Sequence, residues 1–538
     1  MSGDGEDPAP DMTALREPGR GLAVIRGTRL EARLVPRPAP ENSDLDVPMA
    51  PATEKSIERW FSTRGRCLAA GDTLLLYVTD HGQKNQKAPQ DNAITLWRGD
   101  DLTVDELRNL IEDLRPGVRV VGLMSQCYSG GFAHLVTGDE PEDEASFCGY
   151  FSTNADRPAY GCYPEDRGRE NVGHSFRFLE ALARSGSFPE AHLETLVRDE
   201  APDVPLRTSD VWLERVLDRA AANRKIDTEA FVDRVMSEAV VAANPPEELA
   251  LLEGVAVAFG IAAPHSMKEI GELTKRVQEL KRRASKYAAT WKPTLARLRE
   301  ANLDRFLAAR PEWAWVDGTE GDGENPKLTE KRGELVSALR EFMAQDAKTT
   351  ARHRSLRSHA AGAKAAAWRM EAREAALLRA RTLLVRMAGT TYLSRQGSEK
   401  ERETLRRLTE CEALRLNVGA VRSREIPAKE PFPSFEADAA KIAAARPSWI
   451  GLRFEPAAKG GGVDEGVAKV LEVKADSPAA AAGLKPGDLI VGPPEAPFDE
   501  PHRLREWAML APSGKPARLS VIRDGETLEV TLTPVPLE

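Results

Sequence analysis

The chain has 538 residues, 41% hydrophobic and 30% charged, with a formal net charge of −9. That length implies two to four domains, each with enough chain for a real core. The acidic balance, with no basic stripe interleaved with aromatics, argues against a nucleic-acid binder, and no apolar run approaches transmembrane length. The five cysteines, Cys67, Cys127, Cys148, Cys162 and Cys411, include no CxxC pair. Neither a metal site nor a disulfide framework is therefore indicated, and nothing calls for a cofactor. Cys148 and Cys162 read as two buried thiols, or as a bridge if the protein is exported.

Residues 1–50 open with MSGDGEDPAPDM, a Gly/Asp/Pro-rich loop of the kind that follows a strand, with no strand before it. The next strand candidate is LEARLV, Leu30 to Val35. Ala52 to Ala70 reads as a helix. GDTLLLYVTDHG then gives a short apolar strand ending on Asp80, His81 and Gly82. VRVVGLMSQCYSGGF gives a second, ending on Ser125, Gln126, Cys127, Tyr128, Ser129, Gly130 and Gly131. Both runs are short, rich in β-branched and aliphatic residues, and bounded by Gly, as buried parallel strands are. Between them Leu102 to Leu114 has helical spacing and stops at Pro116-Gly117. A βαβ unit would place His81 and Cys127 at the carboxyl ends of parallel strands, where open α/β sheets hold their chemistry. A thiol attacks a carbonyl as thiolate, and a nearby imidazole can take its proton. Gly82, Gly130 and Gly131 would let backbone N–H groups approach a substrate.

TDHG and QCYSGG resemble the His-Gly and Cys elements of caspase-fold cysteine peptidases, closest to the legumain-like branch. Cys148 to Phe176 resembles that branch's next strand and specificity loop, with the Tyr-x-Cys-Tyr element at Tyr160, Cys162 and Tyr163. The resemblance implies His81 and Cys127 as the catalytic pair and the N–H groups of Gly82 and Cys127 as an oxyanion hole. Asp80, Ser125, Gln126, Asp156 and Arg157 are supporting or specificity candidates. The fold has a central first strand upstream of the opening loop, so its lack here points to a neighbouring first strand or to a late start of the chain. On the sequence as given the protein would be cytoplasmic, and a missing leader would make it exported. Selectivity of the branch for asparagine uses charged groups, one of them two positions before the cysteine. That position is Ser125, and Pro158 and Ala159 replace the serine pair before the Tyr-x-Cys element, so the preference does not carry over. Asp156 and Arg157 either face the pocket or are solvated loop charges.

Ser175 to Ser185 is helical, and His192 to Leu217 closes the peptidase region, with Trp212 in its core. From 218 to 420 the pattern is helical. Met267, Ile270, Leu273, Val277, Leu280, Ala284, Tyr287 and Trp291 line one face of a long helix that Pro293 should kink or end. Further helices are expected at Lys327 to Ala347, Ala363 to Tyr392 and Glu401 to Leu416. Trp291, Trp313, Trp315 and Trp368 would fill the core of this bundle or hairpin. Residues 421–447 are a Pro-rich linker with a short helix from Phe435 to Ala445.

The tail, 448–538, has short strands with regular turn signals. Its WIGLRF run and the SPAAAAGLKPGD run (Ser477 to Asp488) resemble a PDZ domain of the bacterial protease-associated type. The resemblance implies that the Gly451, Leu452, Arg453, Phe454 loop offers N–H groups to a C-terminal peptide ligand, with His502 to Leu510 closing the groove. The expected fold is multidomain: an α/β caspase-like region at 1–217, an all-α middle and a β-rich PDZ-like tail. The function expected is a cysteine endopeptidase acting on protein or peptide substrates. The alternatives are a degenerate scaffold that binds peptides and a transpeptidase using the same acyl-enzyme.

Overall fold

The computed structural model describes residues 10–13, 24–31, 39–42, 49–79, 81–135, 146–160, 173–239, 247–317, 326–417, 431–457 and 466–537. The chain divides into two compact units. One comprises Met1–Leu15, Arg37–Glu279 and Trp368–Phe435, and the other Arg16–Pro36, Leu280–Ala367 and Glu436–Glu538. Among the described residues no helix is long and apolar enough to cross a membrane.

In the first unit, β1 (Pro10–Thr13) pairs antiparallel with β2 (Ala39–Asn42). Helix α1 (Glu54–Thr63) is capped by the Thr53 hydroxyl, which accepts from the N–H of Ser56. Strand β3 (Thr73–Val78) follows. A small antiparallel sheet of β4 (Gly82–Gln83), β5 (Ala93–Thr95) and β6 (Asp101–Thr103) then intervenes. Helix α2 (Val104–Glu112) starts at a capping box of Thr103 and Glu106 and leads to β7 (Arg119–Met124). The βαβ unit is thus present, with a hairpin sheet inserted that the apolar pattern did not reveal.

After β7 come β8 (Ser146–Phe151), helices α3 (His174–Ser185) and α4 (Phe188–Arg198), and β9 (Leu206–Arg207). The main sheet has the order β3-β7-β8-β9, parallel except for β9. Strand β7 is buried on both faces: Val120 and Met124 join one core, Val121 and Leu123 another. That is why it reads as one continuous apolar run. Among the described residues, strand β3 lies at the sheet's end. Leu74, Leu76 and Val78 pack on the first core, while Leu75 and Tyr77 are 40% and 42% exposed. The strand candidate at Leu30 to Val35 does not continue this sheet over its described residues. Leu30 sits in a turn and packs with Ile25, Leu303 and Phe306 in the second unit.

Helices α5 (Thr208–Asn223), α6 (Thr228–Ala239), α7 (Glu247–Phe259), α8 (Met267–Ala309), α9 (Pro326–Gln345), α10 (Ala347–Gln396) and α11 (Glu399–Glu412) make up the middle of the chain. Trp212 on α5 is buried, as expected. The apolar face expected on α8 is buried at Met267, Ile270, Val277, Ala284, Tyr287 and Trp291. The helix does not end at Pro293. A mid-helix proline costs about 3 kcal/mol, and here Thr294, Leu295 and Leu298 just beyond it are buried, so packing outweighs that cost.

The end of this helical stretch completes the core around the main sheet. Cys411 on α11 is disulfide-bonded to Cys148 on β8, with Cα atoms 5.9 Å apart and a sequence separation of 263. This corrects the reading of Cys148 as an unpaired thiol, and Cys162 lies outside the described residues. The same helix end is gripped by side chains from the sheet and from α5. Arg119 Nε donates to the Cys411 carbonyl (2.9 Å), Tyr150 Oη to the Glu412 carbonyl (2.7 Å), and Ser209 N and Oγ to the Glu412 carboxylate (2.7 and 2.8 Å).

The second unit packs helical segments against helix α12 (Phe435–Ala444) and a β-rich tail. There β10 (Ser448–Trp449) pairs with a terminal strand, and β11 (Leu452–Pro456), β12 (Ala468–Val473), β13 (Leu489–Gly492), β14 (Ala517–Arg523) and β15 (Glu526–Leu532) form one antiparallel sheet in sequence order. A short helix, α13 (Pro478–Ala481), is capped by Ser477, and α14 (His502–Leu510) buries Leu504, Ala508 and Met509. Asp488 of the SPAAAAGLKPGD run is buried, accepts from Lys485 N (2.8 Å) and pairs with Arg523 (2.7 Å).

Candidate active site

Strands β3 and β7 run parallel with Val78 opposite Met124, so the residues three beyond each, His81 and Cys127, emerge at the same sheet edge. Their segments touch. A Cβ on Gly82 would run into the carbonyl oxygen of Cys127 and come within 3.0 Å of Gln126 Cγ, so only glycine fits there. The N–H of Thr95 donates to the His81 carbonyl (2.9 Å), which makes 81/95 a hydrogen-bonded pair of the hairpin. Antiparallel pairs alternate, so Gly82, opposite Ile94, turns its N–H away from β5. His81 is exposed; Asp80 lies outside the described residues.

Cys127 is half-buried. The N–H of Ala159 donates to its sulfur (3.3 Å), and the Ala159 carbonyl lies 3.7 Å from the same atom. Burial pushes the thiol up from its ordinary value, and the Asp203 carboxylate adds to this. The N–H groups of Ala159 and of Cys127 itself act in the opposite sense. Burial is the largest of these effects, so at rest the sulfur holds its proton near neutral pH.

The residues before the cysteine are sealed in. Ser125 is buried, takes the carbonyl of Val78 with its N–H (2.8 Å) and lies 3.1 Å from His174 Nδ1. Gln126 is fully buried, and neither side-chain amide atom is hydrogen-bonded among the described residues. Asp156 is exposed and pairs with Lys84 (2.8 Å), while Arg157 lies 3.9 Å from Glu374 and its carbonyl accepts from Tyr128 N (2.9 Å). Gly130 and Gly131 are both buried and closely packed. A Cβ on Gly130 would lie 2.7 Å from the Asn154 Cα, and one on Gly131 would lie 2.8 Å from Asn92 Nδ2.

Three supports have no sequence signal. Asn92 is fully buried and bonds to segments around the cysteine. Asp203, also fully buried, accepts from the N–H of Tyr160 (2.9 Å) and of His174 (3.0 Å). Burial and the neighbouring Asp199 push its carboxyl well above the usual range. Arg379 on α10 donates to the carbonyls of Leu196, Asp199, Ala201 and Asp203 at 2.7–2.9 Å, fixing the turn that carries both acids. Helix α10 reaches the loop after β8 as well. Tyr160 donates to Glu371 (2.9 Å), and its ring meets Trp368 edge-on at 5.3 Å. Trp368, expected in a helical core, is 41% exposed beside this loop.

In the tail, Gly451 has φ +83°, and a Cβ there would strike Ser477. Strand β11, with Leu452 and Phe454 against the core and Arg453 paired to Glu472 (2.9 Å), is the end strand of its sheet among the described residues. An end strand leaves one row of backbone groups available for a further strand.

Residues 59–197 match the sequence model of the Peptidase C13 family, and residues 448–533 match that of the PDZ domain. The chain thus joins a peptidase-family region, cysteine-type at the level of the family, to a PDZ domain, as the motifs at TDHG, QCYSGG and the WIGLRF run implied. No curated protein matches. Among solved structures, the HtrA-type protease AlgW with a decapeptide is 18% identical, covers 20% of this chain and 36% of its own, and has a TM-score of 0.17. A serine endoprotease from Yersinia pestis is 23% identical, with coverage of 19% and 35% and a TM-score of 0.16. The HtrA3 PDZ domain bound to a phage-derived ligand is 29% identical over 17% of this chain and 86% of its own, with a TM-score of 0.15. The chain spans little more than a third of the two proteases.

Proposed function

We propose that the protein is a cysteine endopeptidase working through His81 and Cys127, with the PDZ domain recruiting peptides by their C-termini. The observation that carries the reading is the contact between Gly82 and the Cys127 carbonyl at the shared ends of β3 and β7. In the reaction, His81 takes the thiol proton as sulfur adds to the scissile carbonyl carbon. The N–H groups of Gly82 and Cys127 hold the resulting oxyanion. As the C–N bond breaks, His81 returns the proton to the leaving amine. Water, deprotonated by His81, then cleaves the thioester, releasing the acid and restoring the thiol. A raised thiol value fits a nucleophile that ionises only as it attacks.

As a division of labour we propose that 1–217 holds the reacting groups, 218–420 supports them, 421–447 links and 448–538 recruits. A scaffold reading draws on one observation, the exposed Leu75 and Tyr77 on end strand β3. Cleavage of casein by wild type and by Cys127→Ala decides between them. Loss of cleavage in the variant supports the peptidase, and equal cleavage, or none in either protein, removes it. An added amine nucleophile that yields ligated peptides would make the same acyl-enzyme a transpeptidase.

A further inference from the structure

The residue after the nucleophile is held in a conformation that L-residues avoid. Tyr128 has φ +60°, left-handed and unfavourable for a side chain of its size, and such strain persists only where the surroundings impose it. Both of its backbone groups are engaged. Its N–H donates to the Arg157 carbonyl (2.9 Å), and its carbonyl accepts from Gly131 N (3.1 Å) and from Asn92 Nδ2 (3.1 Å).

Asn92 stands out among these partners. Its Oδ1 accepts from Asn85 N (2.9 Å), on the segment that runs on from His81 and Gly82. Its Nδ2 donates both to Tyr128 O and to Ala155 O (2.9 Å), on the loop whose Ala159 touches the thiol. One fully buried amide therefore joins the histidine segment, the cysteine loop and the loop after β8. Its own carbonyl accepts from Val104 N (3.0 Å), which anchors it to the start of α2.

We infer that Asn92 is a positioning residue for the oxyanion hole, which rests on the peptidase reading above. By clamping the Tyr128 carbonyl it fixes the peptide that follows Tyr128 and holds that residue at φ +60°. Through Ala155 it also holds the loop whose Arg157 carbonyl takes the Tyr128 N–H, the far side of the peptide that carries the Cys127 carbonyl. It thereby sets the position of the Cys127 carbonyl against Gly82, the contact that spaces the two oxyanion donors. Asn92 does not touch the reacting atoms. Its effect should appear where an oxyanion forms and not where the sulfur reacts without one.

The test compares wild type with Asn92→Ala and Asn92→Ser, alone and combined with Tyr128→Gly, which can adopt φ +60° without a clamp. Alkylation of Cys127 by iodoacetamide needs no oxyanion hole. Turnover of a peptide substrate and inhibition by the matching peptide aldehyde do. Removing an oxyanion donor typically costs about 100-fold or more in kcat. Asn92→Ala should approach that loss, with KM and the alkylation rate within about two-fold and aldehyde affinity falling in parallel with kcat. Tyr128→Gly should restore about ten-fold of the lost kcat in the double variant. Asn92→Ser, the milder change, carries the same comparison if the alanine variant does not fold. A parallel fall in kcat, alkylation and melting temperature, or an unchanged kcat, overturns the inference while leaving the peptidase reading intact. A wild type that neither cleaves peptides nor binds the aldehyde overturns both.

Discussion

At the scale of single residues, the chemistry of Cys127 should carry the mark of its surroundings. Its thiol is pushed up by burial, so its alkylation rate should keep rising with pH past the range of an ordinary cysteine. A plateau already reached below pH 7 would mean a resting thiolate–imidazolium pair and would contradict this. His174, fully buried beside Ser125, gives a second test. Burial and the nearby Arg379 hold its imidazole down at about 3, against an ordinary value of 6.5. Folding therefore favours the neutral ring. That stabilisation is complete above about pH 6.5 and is lost as the pH falls towards about 3, up to roughly 5 kcal/mol in all. The raised Asp199 and Asp203 act in the opposite direction, losing stability as the pH rises through their folded values. Comparing wild type with His174→Gln by urea unfolding from pH 7 to 4 isolates the histidine, and the variant should lose less stability over that range. The strand ends that carry His81 and Cys127 were legible in the sequence because each follows a short apolar run bounded by glycine. Asn92 and Asp203 were not, since a buried amide or acid in a loop has no periodicity and its partners lie far along the chain.

At the scale of elements, the disulfide between β8 and α11 closes a loop of 263 residues. Constraining a loop of that length typically contributes about 2–5 kcal/mol by restricting the unfolded chain. Cys411→Ala should lower the urea midpoint accordingly, and adding dithiothreitol should do the same to wild type but not to the variant. Equal midpoints for all would contradict the bridge. Such a bridge is rare in reducing compartments, so this pair departs from what the scattered cysteines suggest at face value. The strands at 73–78 and 119–124 and the helix at 104–112 could be placed from spacing alone. The inserted hairpin could not, because its strands are two or three residues long and show no alternation. Nor could the run of α8 through Pro293, where burial on both sides of the proline overrides local propensity.

At the scale of the molecule, two resemblances were readable because each rests on short, ordered motifs, and both regions match family models. The helical stretch between them gave periodicity without partners. Its last helices carry Arg379, Trp368 and Cys411 into the surroundings of the main sheet, and amphipathic spacing cannot say which face of which sheet a helix will cover. For the PDZ domain, peptides with a free C-terminal carboxylate should bind and their amidated forms should bind at least about ten-fold more weakly, because a charged acceptor for the loop at Gly451 is lost. Equal affinities by calorimetry would argue against C-terminal recognition.

The central claim is that one imidazole and one sulfur act together at the edge of a single sheet. It is tested most directly by treating wild type and His81→Ala with a peptide acyloxymethyl ketone, a probe that needs an attacking thiol and an assisting base, and mapping the adduct by mass spectrometry. The account expects rapid modification of Cys127 in wild type, none at the exposed Cys67, and a loss of about 100-fold in rate without His81. Modification at the same rate in both proteins, or none at Cys127 in either, would contradict it.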